Sequence, residues 1–145
     1  VIDGLVHVAH VGDSRLYRLR DGRLEQLTRD HTIVAEMVRD GRLPPEEAGG
    51  HRWRSILSRA VGVELRVDVD SVTLPAQRGD VYLLCSDGLT KMLAADEVGR
   101  ALVAAGSLEA GARALVDSAN ARGGRDNITA VLFRLGAGPT GGTTS

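Results

Sequence analysis

Gly79-Asp80-Val81-Tyr82-Leu83-Leu84-Cys85-Ser86-Asp87-Gly88-Leu89-Thr90 holds a turn, a buried strand and a second turn in direct succession. The run 81–85 is continuously apolar and bounded by turn residues, the pattern of a strand covered on both faces. Around it the chain alternates between short strands and helices. Upstream, 5–11 (LVHVAHV) is apolar on both alternating faces apart from His7 and His10, so a second strand covered on both sides is expected. Gly12-Asp13-Ser14 is a turn, 16–19 reads as a strand, and Asp21-Gly22 is a two-residue hairpin signal that returns the chain through 24–27. Leu65, Val67 and Val69 alternate with Arg66, Asp68 and Asp70 before the phase slips to Val72 and Leu74. That slip predicts a strand with a bulge near Asp70-Ser71.

Helical signals appear in four places. Ile33, Val34, Met37 and Val38 follow Asp30-His31-Thr32 and stop at Gly41. Pro44-Pro45-Glu46-Glu47 begins a short helix, with proline and acids at the positive end. Downstream, Val98, Ala101, Leu102 and Ala105 share one face of a helix over 97–105. Ser107 caps the next, whose apolar face holds Leu108, Ala112, Leu115, Val116 and Ala119. Gly123-Gly124 ends it, and 128–135 is a last strand. Tight hairpins favour antiparallel pairing, so the fold class is α+β, helices packed on antiparallel sheet. Residues 1–135 form the domain. Residues 136–145 (GAGPTGGTTS) have no apolar face and are expected to be a disordered Gly/Thr-rich tail.

The chain has 145 residues, 43% hydrophobic and 26% charged, with a net charge of -1. That is a globular composition without the basic excess that would point to nucleic acid or an anionic membrane. No apolar run reaches the roughly 20 residues that span a bilayer. One cysteine, Cys85, excludes an internal disulfide framework and a cysteine-based zinc cluster. It lies inside the apolar strand, where a thiol is a poor nucleophile. Val1 opens within an apolar stretch, so the N-terminus reads as cut from something longer.

Three aspartates stand at strand lips: Asp13 after the first strand, Asp87 after 81–85, and Asp126 before the last strand in Gly124-Arg125-Asp126-Asn127. Taken singly, each is better read as a turn former, as Asp21 is. Taken together, clustered carboxylates repel unless a cation joins them, and hard cations such as Mg²⁺ and Mn²⁺ prefer oxygen ligands. Adjacent glycines admit backbone and solvent, and Asn127 is placed to hold Asp126.

Five stretches, in order, carry a resemblance: VAHVGDSRLY at 8–17, LTRDHT at 27–32, RSILSRAVG at 54–62, GDVYLLCSDGLT at 79–90 and GGRDNITAV at 123–131. They resemble the PPM family, the metal-dependent type 2C protein serine/threonine phosphatases, in its bacterial form, over residues 5–135. The resemblance implies an αββα four-layer sandwich, two antiparallel sheets flanked by helices, with metals in a cleft between the sheets. It implies hydrolysis of phosphoserine and phosphothreonine by metal-activated water. Asp87 and Asp126 match the two C-terminal ligands of the core metal pair, and are catalytic through the water the metals hold. Asp13 matches the ligand of a third, weaker ion, and Asn127 a supporting residue. The stretch 31–59 matches a mobile flap beside the site. The implied cofactors are two Mn²⁺ or Mg²⁺ ions with a third beside them. The implied partners are phosphoserine and phosphothreonine proteins and a cognate Ser/Thr kinase or its substrates, in the cytoplasm. The sequence departs from the family in one respect. The N-terminal part is missing, with its Asp-Gly-x-Gly-Gly motif and phosphate-gripping arginine, so the fragment is expected to be inactive alone. The competing reading is a degenerate, non-catalytic regulatory module of the same fold.

Other residues keep two readings each. His7 and His10 face opposite sides and suit packing or surface roles. His31 orders the flap or caps a helix. His51, Arg52 and Arg54 meet a phosphorylated peptide or line a solvated loop. Trp53 is a partner contact or a local anchor. Arg15 and Arg125 pair with a carboxylate or with substrate.

Overall fold

The computed structural model describes residues 1–63 and 65–136. The elements in chain order are β1 (Leu5–His10), β2 (Arg15–Arg20), β3 (Arg23–Gln26), α1 (Ile33–Arg39), α2 (Pro45–Ala48), β4 (Asp70–Pro75), β5 (Val81–Cys85), α3 (Asp87–Thr90), α4 (Ala95–Ala104), α5 (Leu108–Ala121) and β6 (Ala130–Arg134). They build two sheets, one in the order β3-β2-β5-β6 and one of β1 with β4. All pairs are antiparallel.

Local chemistry explains the joints. Asp21 and Gly22 have φ of 50° and 75°, the left-handed pair of a tight hairpin that matches strand twist. Asp3 and Gly4 repeat that turn, and Ile2 and Leu5 exchange both backbone hydrogen bonds across it. The Thr32 hydroxyl accepts from the Ala35 N–H to start α1, and the Ser107 hydroxyl accepts from the Ala110 N–H to start α5. Glu97 reaches back to accept from the Ala94 N–H, so α4 begins at Ala95, ahead of the expected 97.

The four-stranded sheet is the middle layer. On one face Tyr17, Leu83 and Cys85 pack with Leu89, Leu93, Val98, Leu102, Leu115 and Ala119 of α3, the turn after it, α4 and α5. On the other face Leu16 and Tyr82 meet Val6 of β1, and Phe133 stacks on Tyr82 with ring centroids 5.1 Å apart. Helices, sheet and facing sheet are thus three successive layers of the α+β, αββα arrangement. Each fully buried Leu, Tyr or Val here contributes on the order of 2 kcal/mol.

Several expectations need correction. β1 is covered on one side: Val6 is buried, while Leu5, His7 and Ala9 are exposed, because the two-stranded sheet uses only its inward face. β4 begins at Asp70 without a bulge, since its partner ends at His10, the residue opposite Asp70. Leu65 and Val69 are therefore outside any strand and exposed. Leu84 is the exposed exception within β5. The short helix α3 was not anticipated. The expected tail at 136–145 lies, from residue 137 on, outside the described residues. No described helix is long and apolar enough to cross a membrane.

Candidate metal centre

Strand register collects the three aspartates at one end of the middle sheet. Cys85 pairs with Arg15 on one side and with Ala130 on the other. The start of β2, the end of β5 and the start of β6 are therefore level. Asp13 lies in the loop before β2, Asp87 opens α3 directly after β5, and Asp126 sits in the loop before β6.

Ser86 stitches the last two together. Its N–H donates to the Thr129 carbonyl at 3.1 Å, its hydroxyl donates to the Asn127 carbonyl at 2.9 Å, and the Thr129 N–H donates back to the hydroxyl at 3.0 Å. Gly88 completes the joint. A Cβ on it would stand 2.4 Å from the Asn127 carbonyl oxygen. The glycine beside Asp87 is required by that approach of the Asn127 backbone. Asn127 does hold Asp126, but through its backbone N–H, which donates to Oδ1 at 2.8 Å.

Lys91, the one lysine in the chain, was not singled out from sequence. One helical turn beyond Asp87, its Nζ contacts Asp87 Oδ2 and lies 3.3 Å from Asp126 Oδ2. Asp87 and Asp126 thus converge on a point that a single cation can touch. Asp126 is held below the usual carboxylate range by the Asn127 N–H and then by Lys91. The Lys91 ammonium is stabilised by its bond to Asp87 first and Asp126 second. Asp13 is pushed up, chiefly by burial and next by the charge of Asp87. Among the described residues no three His, Cys, Asp or Glu side chains come close enough to hold a metal ion by themselves. The donors present fit a hard divalent cation in kind, being carboxylate oxygens, and supply part of a coordination shell.

Arg15 is not free for substrate. It grips Asp30 through both Nε and Nη2, at 2.8 and 2.6 Å, in the paired geometry a guanidinium favours. From Asp13 and Asp87 a groove of about 880 Å³ runs between α1–α2 and the α3–α4 turn, passing Val38, Pro45, Arg54 and Met92. The Trp53 ring is partly exposed, with Arg52 4.7 Å over it and His51 edge-on at 5.5 Å. Arg54 donates to the Gly49 carbonyl at 2.6 Å.

No protein-family model matches the chain. Individual proteins do. It is 46% identical over 127 residues to the serine/threonine phosphatase stp of Listeria welshimeri, across 88% of this chain and 50% of that protein. The crystal structure of the serine/threonine phosphatase PstP/Ppp of Mycobacterium tuberculosis superimposes with a TM-score of 0.89 at 38% identity, covering 94% of this chain and 57% of that one. The catalytic domain of the serine/threonine protein phosphatase PstP in complex with two manganese ions superimposes at 0.78 and 36% identity, over 91% of this chain and 54% of that one. The chain spans about half the length of the curated relatives it matches. By sequence and by fold together, it belongs to the PPM-type, type 2C protein serine/threonine phosphatases in their bacterial form.

Proposed function

We propose that the chain is the C-terminal portion of a phosphatase domain that removes phosphate from phosphoserine and phosphothreonine in proteins. The observation that carries this is the convergence of Asp87 and Asp126 on one cation position at the sheet lip, with Asp13 beside them. A manganese-bearing relative of the same fold supports Mn²⁺ or Mg²⁺ as the cofactor. Asp87 and Asp126 would hold the core ions and Asp13 a further one. Such ions, when bound, activate water and neutralise the charge spread over the phosphoryl oxygens.

The chain's own residues do the positioning. Ser86 ties the two carboxylate-bearing segments together, and the Asn127 N–H holds Asp126. The groove between α1–α2 and the α3–α4 turn receives residues flanking the phosphoresidue, with Val38 and Met92 as apolar contacts and Arg54 for acidic neighbours. Signalling proteins phosphorylated by a Ser/Thr kinase, and that kinase itself, are the substrates and partners we infer. Cys85, a free and buried thiol, suits the reducing cytoplasm.

The test is to express the full open reading frame and measure Mn²⁺-dependent phosphate release from p-nitrophenyl phosphate and from a phosphothreonine peptide. Asp87→Asn and Asp126→Asn are assayed beside it. Release that requires Mn²⁺ and collapses in both variants is expected. A folded, full-length protein without activity overturns the reading in favour of a non-catalytic module.

A further inference from the structure

His31 is the most enclosed polar side chain of the 31–59 segment, fully buried, and the chemistry proposed above does not use it. It is contacted on every side. Its backbone N–H donates to the Gly12 carbonyl at 2.9 Å, and its Nδ1 accepts from the Gly12 N–H at 3.1 Å. Because Nδ1 accepts, the ring proton resides on Nε2. Nε2 lies 3.2 Å from Asp70 Oδ2, close but poorly aligned for a hydrogen bond. Asp70 is held in turn by Arg59 at 2.8 Å. The His10 ring covers the remaining side, with centroids 4.7 Å apart.

These contacts join the loop before β2 to the 31–59 segment. Gly12, with φ of 109°, is the residue before Asp13, so the His31 ring fixes the loop that aims Asp13. His31 is also where 31–59 closes on itself. Its carbonyl accepts from the Ser58 N–H at 2.8 Å, Thr32 bridges to Leu57, and the Ile33 N–H donates to the Ile56 carbonyl at 2.9 Å. Arg59, just past the closure, returns to the same imidazole through Asp70. A displacement of the Asp13 loop therefore has a direct route into both ends of the segment that walls the groove.

We propose that His31 is the positioning residue through which a divalent cation at Asp13 is felt by residues 31–59. The proposal rests on the reading of Asp13 as a metal-binding residue. Trp53, the one tryptophan of this sequence, lies in the segment and reports on it.

The experiment is a Mn²⁺ titration of the full-length protein, with binding followed calorimetrically and the segment followed by Trp53 fluorescence. A Trp53→Phe control assigns the signal. Asparagine places an amide oxygen where Nδ1 stands, keeping the acceptor for Gly12. Glutamine places its amide nitrogen where Nε2 stands, keeping the side facing Asp70. His31→Gln is expected to shift the Mn²⁺ midpoint of the Trp53 response about five-fold upward, the value of one lost hydrogen bond, and His31→Asn less than about two-fold. Asp70→Ala, at a half-exposed position, removes the same contact that His31→Asn removes and is expected to shift the midpoint equally little. Equal behaviour of the Asn and Gln variants, or a shift in Asp70→Ala as large as that in His31→Gln, overturns the proposal. Mn²⁺ that binds the wild type without moving Trp53 overturns it alone. Failure of Mn²⁺ to bind the wild type overturns it together with the functional reading.

Discussion

Arg20 and Asp80 form a two-pronged ion pair across the middle sheet, Nε to Oδ1 at 2.7 Å and Nη2 to Oδ2 at 2.6 Å. The Asp80 side chain is 1% exposed and accepts as well from the Gln77 N–H and the Tyr82 hydroxyl. Its carboxyl is lowered to about 2, first by the Arg20 bond. A depressed carboxylate stabilises the fold above its unfolded value, near 3.8, and that contribution disappears as pH falls toward 2. Its size is about 2 kcal/mol. Asp80→Ala, which strands Arg20, should cost about 3 kcal/mol at neutral pH. In urea unfolding, the gap between wild type and Asp80→Ala should narrow as pH drops from 4 to 2; a gap independent of pH counts against the pair.

Lys91 would compete for Asp87 and Asp126 with the divalent cation proposed to bind there. Lys91→Met should therefore lower the Mn²⁺ concentration for half-saturation by roughly five-fold, a modest effect because the pair is partly solvent-screened. Isothermal titration of the intact protein checks this. Weaker Mn²⁺ binding in the variant would mean that the ammonium organises the carboxylates for the ion.

Gly88→Ala drives a methyl into the Asn127 carbonyl, 2.4 Å away. The loop bearing Asp126 must move or the helix α3 must tilt. A loss of about 2 kcal/mol in stability is expected, with a fall in Mn²⁺ affinity that a purely structural lesson elsewhere in α3 would not cause. Thermal melts and Mn²⁺ titration on the same preparation separate the two.

Cys85 is pushed up to about 11 by burial, only partly offset by Arg15. At pH 8 it should resist iodoacetamide in the native protein and label promptly in denaturant, as read by mass spectrometry. Cys85→Ala should retain Mn²⁺-dependent phosphate release, and its loss would reopen thiol chemistry.

What was legible in the chain was local. Asp21-Gly22 announced its hairpin, Ser107 its helix cap, and 81–85 its buried strand, because backbone conformation and burial at those points depend on a few adjacent residues. What was not legible depended on distant partners. The start of β4 is set by where β1 ends, sixty residues earlier. α3 forms because Leu89 has a core to enter, which no period over so short a segment can announce. At the site, the three aspartates were visible as types at strand lips, but their levelling comes from the register Arg15–Cys85–Ala130. Lys91 carried a signal, an i,i+4 offset from Asp87, that passed unnoticed beside the acidic motif. His31 had two readings, and the capping role falls instead to its neighbour Thr32.

β5 is paired on both sides, to β2 and β6, while among the described residues β6 is an edge strand. Asp87 therefore stands at the end of the best-protected strand, and Asp126 on a loop leading into an edge. The loop before β6 should therefore open more readily than β5 does. In hydrogen–deuterium exchange, cation binding should slow the amides of 124–129 and leave those of 81–85 at the slow rate they already have. The free energy of capture is then set by how far one loop must be stilled.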